Sequence, residues 1–550
     1  MPMADTLLAI EGLTVELPRF ADRRHAIEDV SLTLERDEIL CVVGESGSGK
    51  SVMARTILRL FPDPGVRATA GRVLFDGENL LAATPARLRE IRGGRIAMIF
   101  QEPMTALNPL MTIGRQIAEM IETHLDLGRA ERRRRILDVL RDVHLPDPER
   151  LLHAYPHEIS GGQRQRAMIA MALVLEPAIL IADEPTTALD VTTQAQILAL
   201  IRELQRRHRT GILFITHDFG VVAEIADRVA VMQRGRLVEL GPATQVLDAP
   251  RHPYTQSLIA AVPSLVPIAP AGAVSGPPLL AVDRLDKVYG GAGLLPGRRR
   301  RVHALNEVSL VVPRGGTLGL VGESGSGKST LARCIVRLIE ADRGRILLDG
   351  LDLRPLSRRQ MRPHRKRLQM VFQDPFASLN PRLRVARLVA QGPIVHGMPE
   401  KEALRLAREL LELVGLDPRA GDRFAHEFSG GQRQRIGIAR ALAVRPEVLI
   451  ADEPVSSLDV SVQAQVLRLL ADIRDRFALT MLFITHDLRV AAQVCDTIAV
   501  MRQGEIVEQG ATEDVFSRPC HSYTRELLDA VPGKLWRPTE RRPHPVVDVL

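Results

Sequence analysis

The sequence predicts an α/β fold that occurs twice along the 550-residue chain. The run VGESGSGKS stands at Val43–Ser51 and again at Val321–Ser329, and the run SGGQRQR stands at Ser160–Arg166 and again at Ser429–Arg435. The repeat is far longer than a solenoid unit, so it indicates two complete domains in tandem. In both halves, short apolar runs end in polar residues, which is typical of buried parallel strands with a site at their carboxyl ends.

In chain order, the first predicted core element is a strand over Ile39–Val43, which ends at a glycine-rich loop. Helical periodicity follows over Ser51–Leu60. A second apolar run, Ile179–Ala182, ends in two carboxylates, and a third, Gly211–Ile215, ends at a threonine and His217. Because parallel strands end at one edge of their sheet, these polar residues are expected to lie together.

Composition places the domain boundaries. Residues 257–282 carry no charge but contain five prolines, so they predict a stiff, extended linker rather than a membrane-spanning helix. We expect a first domain over residues 1–263 with a C-terminal extension from about 240, and a linker over 264–280. The second domain then covers 281–533 with an extension from about 509, and a tail covers 534–550.

The amino-acid composition, with 45% hydrophobic and 25% charged residues, is that of an ordinary globular protein and excludes a chain that is disordered throughout. The four cysteines form no CxxC pair, which argues against a disulfide framework and a thiolate zinc site. The N-terminal residues do not have the pattern of a signal peptide.

The formal net charge is +7, and only six of the 73 basic residues are lysine. The basic runs Arg132–Arg135, Arg298–Arg301 and Arg354–Arg367 fit solvated surfaces, contact with acidic lipid headgroups, or nucleic acid. Aromatic residues make up 3% of the chain and are not interleaved with these runs, so nucleic acid is the weakest of the three.

Two glycine-rich loops predict phosphate binding. Both fit GxxxxGK[ST], a loop whose backbone N–H groups surround phosphate oxygens at a helix N-terminus. A glycine turn without a ligand is the alternative. Against it, Lys50 is the only lysine in the first 286 residues of an arginine-rich chain. A point charge is required there, which arginine would not replace. The predicted nucleotide-binding residues of the loops are Gly44, Glu45, Ser46, Gly47, Ser48, Gly49, Lys50, Ser51 and Val52, and Gly322, Glu323, Ser324, Gly325, Ser326, Gly327, Lys328, Ser329 and Thr330.

Carboxylate pairs close the second apolar run of each half: Asp183-Glu184 and Asp452-Glu453. A strand-end Asp-Glu pair alone is more often a solvated turn. Downstream of a phosphate loop, the aspartate can hold Mg²⁺ and the glutamate can deprotonate an attacking water. His217 and His486, which as isolated residues would be capping or core histidines, are then expected to sense the terminal phosphate.

The motif set resembles the ATP-binding cassette (ABC) ATPases over almost the whole chain. Ser160, Gly161, Gly162 and Gln163, and Ser429, Gly430, Gly431 and Gln432, are similar to the family signature, with Ile159 and Phe428 where leucine is usual. Gln101 and Gln373 resemble its Q-loop glutamines, Asp190 and Asp459 its D-loops, and His217 and His486 its switch histidines.

The resemblance implies two tandem P-loop NTPase domains, each with a mainly parallel sheet core, a helical subdomain and a small antiparallel β part. It implies ATP and Mg²⁺ as cofactors, with Glu184, Glu453, His217, His486, Gln101 and Gln373 catalytic. The Mg²⁺ residues would be Ser51, Gln101, Asp183, Ser329, Gln373 and Asp452. In the family, the signature of one domain faces the P-loop of the other, so intramolecular head-to-tail pairing would give two composite, competent sites.

The subfamily is indicated by two further stretches. The residues after Gln101 and Gln373, and the runs His252–Pro263 and His521–Pro532, are similar to the dipeptide, oligopeptide and nickel importers. The expected partners are two membrane permeases and an extracytoplasmic binding protein, with this chain peripheral on the cytoplasmic face of the inner membrane. Peptides are the first expectation for the substrate, with glutathione, nickel and opines as alternatives.

Other ABC functions fit less well. Translation factors of the superfamily have a charged helical linker, whereas 264–280 is uncharged and proline-rich. DNA-repair relatives carry long coiled coils or cysteine pairs that bind zinc, and the sequence predicts neither. Exporters normally carry fused membrane-spanning segments, which the sequence does not predict either. We therefore expect an importer and no nucleic-acid partner.

An asymmetry between the two ATP sites is also expected. In the family an aromatic residue before the P-loop stacks on adenine, and Tyr289 is so placed in the second half. Leu17 takes the corresponding place in the first half, where only Phe20, if its loop folds back, could supply a ring. Site one, which contains the Lys50 loop, should then bind ATP more weakly than site two, which contains the Lys328 loop, unless phosphate contacts dominate.

Overall fold

The computed structural model describes residues 6–18, 23–61, 63, 65–101, 106–186, 189–268, 276–290, 301–456 and 458–536. The chain divides into two compact units. Unit 1 is formed by Met1–Leu189, Thr193–Val262 and Pro532–Leu550, and unit 2 by Asp190–Thr192 and Pro263–Val531. Residues 269–275 of the expected linker and 537–550 of the expected tail lie outside the described residues.

Unit 1 contains a six-stranded, mainly parallel sheet and a four-stranded antiparallel sheet. The larger sheet has the order β10-β9-β3-β8-β7-β6, in which only β10 runs antiparallel to its neighbour. The smaller sheet has the order β2-β1-β4-β5. The strands are β1 (Thr6–Glu16), β2 (His25–Glu35), β3 (Ile39–Val43), β4 (Arg67–Phe75), β5 (Glu78–Asn79), β6 (Ile96–Ile99), β7 (Ile179–Asp183), β8 (Gly211–Ile215), β9 (Arg228–Gln233) and β10 (Arg236–Pro242).

The helices of this half surround the larger sheet and form a helical region between β6 and β7. They are α1 (Lys50–Ile57), α2 (Pro85–Ile91), α3 (Ile113–His124), α4 (Arg129–Asp142), α5 (Pro148–Leu151), α6 (Gly161–Leu173), α7 (Val191–His208), α8 (Phe219–Ile225), α9 (Ala243–Asp248) and α10 (Pro253–Ala260), with a 3₁₀ turn at Pro156–Glu158. The predicted helix over Ser51–Leu60 therefore begins one residue earlier and ends sooner, because Arg59 adopts a left-handed φ of 50° that no helix continues.

Unit 2 repeats this architecture, with sheet orders β16-β17-β18-β13-β19-β20 and β12-β11-β14-β15. Its strands are β11 (Pro278–Tyr289), β12 (Val302–Pro313), β13 (Thr317–Val321), β14 (Arg343–Leu348), β15 (Leu351–Asp352), β16 (Leu368–Val371), β17 (Val448–Asp452), β18 (Thr480–Ile484), β19 (Thr497–Arg502) and β20 (Glu505–Ala511). Its helices are α11 (Lys328–Ile335), α12 (Arg358–Arg367), α13 (Pro375–Ser378), α14 (Val385–Val395), α15 (Glu400–Leu413), α16 (Gly430–Leu442), α17 (Val460–Phe477), α18 (Leu488–Val494), α19 (Thr512–Ser517) and α20 (Ser522–Asp529), with 3₁₀ turns at Pro418–Asp422 and Ala425–Glu427.

The larger sheet is buried on both faces. Every residue of β3, β7 and β8 is buried, as expected for central parallel strands covered on both sides. One face packs on α1 and the smaller sheet, and the other face packs on the helical region. Because β3, β8 and β7 are adjacent, the loops that follow them share one edge of the sheet. The parallel α/β core expected from the sequence is confirmed.

Each unit also includes a short segment that follows, in the chain, the extension helix of the other half. In unit 2, Ile268 lies beside α18, and its N–H donates to the Ala492 carbonyl at 3.1 Å. In unit 1, the Gly533 N–H donates to Glu224 Oε2 of α8 at 3.3 Å. Among the described residues, no helix combines the length and the apolar character needed to cross a bilayer.

Candidate functional site

The first glycine-rich loop connects β3 to α1 and requires glycine at both of its ends. Gly44 and Gly49 have φ values of 146° and 105°, a region that side chains disfavour. A Cβ at Gly44 would lie 2.2 Å from the Met232 carbonyl oxygen, and one at Gly49 would lie 2.5 Å from the Ala26 carbonyl oxygen. The loop therefore passes directly over neighbouring backbone and begins α1 at Lys50, where the first N–H groups of the helix have no intrahelical partner.

The second loop has the same construction between β13 and α11. Gly322 and Gly327 have φ values of 151° and 112°. A Cβ at these positions would lie 2.2 Å from the Met501 carbonyl oxygen and 2.3 Å from the Ala304 carbonyl oxygen. The other predicted loop residues lie between the strand and the helix or, as Val52 and Thr330 do, in the first helical turn.

Each P-loop lysine is buried and held by the loop itself. Lys50 is 5% exposed, and its Nζ donates to the carbonyl oxygens of Gly44 and Glu45 at 2.6 and 2.9 Å. Lys328 makes the matching contacts with Gly322 and Glu323 at 2.8 and 2.7 Å. These contacts fix each ammonium against its own loop.

Burial lowers the pKa of Lys328, although the negative charges of Glu453 and Asp452 oppose this shift. An anion bound at the loop would favour the charged form and oppose this lowering of the pKa, so phosphate binding and protonation of Lys328 should support each other.

A serine and an aspartate meet beside each lysine. Ser51 Oγ donates to Asp183 Oδ1 at 2.8 Å, and Ser329 Oγ donates to Asp452 Oδ1 at 3.1 Å. Asp183 is fully buried, and its Oδ2 has no hydrogen-bond partner among the described residues. Burial raises the pKa of both aspartates, and the hydrogen bond from the serine acts in the opposite direction.

This oxygen set fits Mg²⁺. A hydroxyl and a carboxylate are hard oxygen ligands, and Mg²⁺ commonly uses one or two carboxylates together with substrate phosphates. An unpartnered buried carboxylate oxygen is costly unless a cation or a donor meets it.

Glu184 lies immediately beyond β7 in a left-handed conformation with φ 48°, while its N–H donates to the Ile215 carbonyl at 3.0 Å. Its carboxylate accepts a hydrogen bond from Gln101 Nε2 at 2.8 Å. His217 Nδ1 lies 3.4 Å from its other oxygen. Gln101 and His217, which the sequence places far from Glu184 and from each other, therefore both contact its carboxylate next to the P-loop.

Glu453 repeats the arrangement with φ 46° and an N–H bonded to the Ile484 carbonyl at 2.9 Å. Gln373 Nε2 donates to Glu453 Oε2 at 2.7 Å, and His486 Nδ1 lies 3.3 Å from the same oxygen, whereas Gln101 and His217 contact different oxygens of Glu184. Burial opposes ionisation of Glu453, but the hydrogen bond and charge of His486 lower the pKa of Glu453 below its ordinary value. Burial likewise opposes a positive charge on His486. The hydrogen bond and the negative charge of Glu453 outweigh burial and raise the pKa of His486. Glu453 is therefore anionic at neutral pH.

Both signature serines cap a helix. The Ser160 Oγ accepts the Gln163 N–H at 3.3 Å, and the Gln163 side chain accepts the Ser160 N–H at 3.0 Å, which forms a capping box at the start of α6. Ser429 and Gln432 form the same box at the start of α16, at 3.4 and 3.0 Å. The hydroxyl proton stays available to donate to an anion at the positive end of the helix dipole.

The third signature position needs glycine because α7 and α17 pass close by. A Cβ at Gly162 would lie 2.8 Å from the Thr193 methyl, and one at Gly431 would lie 2.4 Å from a Val462 methyl. Gly161 has open space at its Cβ direction, so its neighbours do not require glycine. Gly430 has only a Leu458 methyl, at 3.9 Å.

The predicted D-loop aspartates precede the same two helices. Asp190 Oδ1 accepts the Thr192 hydroxyl at 2.8 Å at the start of α7. Asp459 directly precedes α17, and its carbonyl accepts the Gln463 N–H at 2.8 Å.

The residues considered for adenine stacking occupy equivalent strand ends. Strand pairing sets Leu13 opposite Val30 and Leu285 opposite Val308, so Leu17 and Tyr289 correspond. Tyr289 is 40% exposed, and Lys287 Nζ lies 5.6 Å from the centre of its ring. Leu17 is half-buried, and Phe20 lies outside the described residues.

One pair of contacts was not anticipated from the sequence. The Glu45 N–H donates to the Tyr254 hydroxyl at 3.2 Å, and the Glu323 N–H donates to the Tyr523 hydroxyl at 3.1 Å. Both tyrosines belong to the C-terminal extensions, where the recurrence of the same motif in both halves was the available signal.

Comparison with protein families identifies the two repeats. The description "ABC transporter" matches residues 27–187 and 305–456. A second description, "Oligopeptide/dipeptide transporter, C-terminal region", matches residues 238–279 and 507–543.

Two curated relatives are similar over nearly their whole lengths. The chain is 46% identical to the glutathione import ATP-binding protein GsiA of Escherichia coli O157:H7, with 100% of this chain and 93% of that protein covered. It is 48% identical to the peptidoglycan transport ATP-binding protein YejF of Agrobacterium fabrum, with 95% and 96% covered. A solved dimeric ATP-binding cassette bound to ADP and Pi is 28% identical over 42% of this chain and 98% of that one, with a TM-score of 0.39.

Proposed function

We propose, since the chain belongs to the ATP-binding proteins of the ABC transporter family, that it energises the import of peptide-class substrates. The chain carries two ATPase domains, binds ATP, and hydrolyses it to ADP and phosphate to drive transport. The observation that carries the proposed substrate class is the match of both extensions to the oligopeptide/dipeptide transporter region. The name of the GsiA relative makes glutathione the first peptide to test, and peptidoglycan fragments follow from the YejF relative.

The proposed chemistry is in-line attack of water on the terminal phosphate of ATP. Lys50 and the loop amides hold the phosphates, while Glu184 orients the water and accepts its proton. Gln101 and His217 contact that carboxylate on both oxygens, so they fix its direction. In the second half, Glu453, Gln373 and His486 take these roles. We propose that both sites are competent, since every polar member recurs with similar distances.

We propose that Ser51 and Asp183, and Ser329 and Asp452, hold the Mg²⁺ of each site, with the Q-loop glutamines nearby. The ion would neutralise charge on the transferred phosphate when bound. The protein groups contribute one hydroxyl and one buried carboxylate at each site.

We further propose that the signature of one half completes the P-loop site of the other, so that Ser429 serves Lys50 and Ser160 serves Lys328. The capping geometry supports this, because each serine presents a hydroxyl and a helix N-terminus suited to phosphate.

Two double variants of the full chain separate this pairing from sites built within one half. Lys50→Ala with Ser429→Glu should damage one site and leave one ATP occluded per chain. Lys50→Ala with Ser160→Glu should damage both sites and leave none. The reverse pattern would mean that each half builds its own site.

The remaining assignments are proposals of the same kind. We propose domains over 1–263 and 281–533, joined by 264–280 and followed by a tail over 534–550. The partners would be two permeases and an extracytoplasmic binding protein, with this chain peripheral on the cytoplasmic face of the inner membrane and without a nucleic-acid partner.

An uptake assay tests the substrate. Host cells lacking the chain would be complemented with the parent or with the Glu184→Gln/Glu453→Gln variant and given labelled glutathione, dipeptides, oligopeptides, muropeptides or nickel. We expect one peptide-class compound to enter only with the parent. Uptake of nickel alone would contradict the proposed class.

A further inference from the structure

A chain of hydrogen bonds joins the C-terminal extension of unit 1 to its P-loop. Glu239 of β10 accepts the backbone N–H groups of Arg251 and His252 at 2.8 and 3.1 Å. His252 Nδ1 then accepts the Tyr254 N–H at 3.2 Å and caps α10. The Tyr254 hydroxyl accepts the Glu45 N–H of the P-loop at 3.2 Å.

Unit 2 contains the same chain of contacts. Glu508 of β20 accepts the Cys520 and His521 N–H groups at 2.8 and 3.0 Å. His521 Nδ1 accepts the Tyr523 N–H at 3.1 Å, and the Tyr523 hydroxyl accepts the Glu323 N–H at 3.1 Å.

A comparison of the two copies shows which feature is shared. Tyr523 is 1% exposed and its ring lies 4.7 Å from the Arg502 guanidinium, whereas Tyr254 is only half-buried. The flanking residues also differ, since Pro253 is replaced by Ser522. Packing of the ring therefore varies between the halves, but the contact from the phenol to the loop is kept.

We infer that Tyr254 and Tyr523 are positioning residues that hold the P-loops in their phosphate-binding conformation from the C-terminal extensions. The N–H of Glu45 or Glu323 belongs to the same peptide group as the carbonyl of Gly44 or Gly322, which accepts a hydrogen bond from the P-loop lysine. The phenol and the lysine therefore hold the two ends of one peptide group. When this peptide group is held in place, the plane of the first turn of the loop is set. The backbone amide groups that follow in the loop are the ones that would approach the nucleotide. The inference rests on the proposed role of both loops in ATP binding.

The phenol remains neutral over the working range, since burial raises the pKa of Tyr523 to about 12. Its oxygen is thus a stable acceptor. Removing it withdraws one neutral hydrogen bond from a loop peptide, a change that should weaken nucleotide binding about 3- to 10-fold at the affected site.

The test uses the full chain with Tyr254→Phe, Tyr523→Phe and the double variant, because phenylalanine keeps the ring and removes only the hydroxyl. Tyr155→Phe is the matched control, an exposed tyrosine that stacks on His157. Titration with a fluorescent ATP analogue, KM and kcat for ATP, and the apo melting temperature would be measured for each variant.

We expect KM and the dissociation constant to rise about 3- to 10-fold, while kcat at saturating ATP stays within about twofold and the apo melting temperature falls by no more than about 2–4 °C. Rescue at high ATP is the readout that a merely structural role would not give. Parental affinity in the double variant, or a lower kcat at unchanged KM, would overturn the inference.

Lys50→Ala and Lys328→Ala distinguish this outcome from failure of the proposed sites. If both lysine variants lose ATP binding while the tyrosine variants do not, only the inference about the tyrosines is wrong. If the lysine variants also bind ATP normally, the proposed P-loop sites themselves are wrong.

Discussion

Replacing Glu184 and Glu453 by glutamine should stop ATP turnover while ATP still binds. Glutamine keeps the shape of the side chain, and its amide oxygen can still accept from Gln101 or Gln373, which donate at 2.8 and 2.7 Å. In unit 1 the amide nitrogen would face His217, whose Nδ1 can accept a hydrogen bond as the neutral tautomer. In unit 2 His486 lies beside the oxygen that accepts from Gln373, so the amide oxygen would face both residues. The P-loop contacts with phosphate are not altered.

The size of the effect follows from the electrostatics of the carboxylate. Loss of a general base typically costs about 10²–10⁴-fold in rate. His486 holds the pKa of Glu453 below its ordinary value, so the carboxylate is always available but is a weak base. We therefore expect the lower part of that range, about 10²–10³-fold, or about 3–4 kcal/mol of activation free energy.

The assay is phosphate release at saturating Mg²⁺-ATP, with nucleotide titration of the same preparation. Glu340→Gln is the control, because this glutamate lies beyond the end of α11, its side chain is 88% exposed and its ion-pair partner is Arg337 rather than a site residue. Turnover by the double variant within tenfold of the parent would refute the reasoning. Loss of ATP binding in either single variant would show instead that the carboxylate has a structural role.

Three further outcomes are expected. ATP should raise the melting temperature of the parent, and at about 100 times Kd its free energy of unfolding should increase by about 2.7 kcal/mol. Asp183→Asn should remove most of the part of this rise that depends on Mg²⁺, while the part seen without Mg²⁺ persists. Leu17→Tyr should tighten site one, and Tyr289→Leu should loosen site two by at least about fivefold in a hydrolysis-deficient background, since stacking on a base is worth about 1–3 kcal/mol; unchanged affinity in both would remove the asymmetry. Because the pKa of His486 is raised and that of Glu453 is lowered, their pairing should stabilise unit 2 most between the two pKa values. That contribution is lost as pH rises through the pKa of His486 or falls through that of Glu453, so His486→Ala should flatten the pH dependence of unfolding on both sides.

The sequence predicted strands correctly where the sheet is buried on both faces, because such strands are continuous runs of apolar residues. Gly211–Ile215 is β8 as expected, and Ile179–Ala182 is β7 with one more residue. The antiparallel sheet could be expected only from the family resemblance, because β1 and β11 bend at several register shifts that break simple alternation. The early end of α1 depends on the backbone of Arg59, which no periodicity signals.

The candidate site was predictable as a set of residues but not as a set of contacts. The P-loop and the strand-end carboxylates follow from local patterns, since each lies within one short motif. The bond from Gln101 to Glu184 spans 83 residues, so only the folded chain determines it. Tyr254 is separated from Glu45 by 209 residues, and its hydroxyl gives no sequence signal beyond its recurrence in the second half.

The backbone at the two glutamates has the same unusual conformation in both halves, as it does at other matched turns such as Asp76 and Asp349. A left-handed conformation at a residue other than glycine costs about 1–3 kcal/mol, and each half adopts it at the same residue, with φ 48° at Glu184 and 46° at Glu453. Each glutamate lies in the same local sequence, Ala-Asp-Glu-Pro, at residues 182–185 and 451–454, so a shared local pattern accompanies the conformation. In each case the N–H still bonds to the adjacent strand, to Ile215 or Ile484, so the residue is turned without losing its place in the sheet. The turn directs each carboxylate to the glutamine and histidine that contact it beside the P-loop.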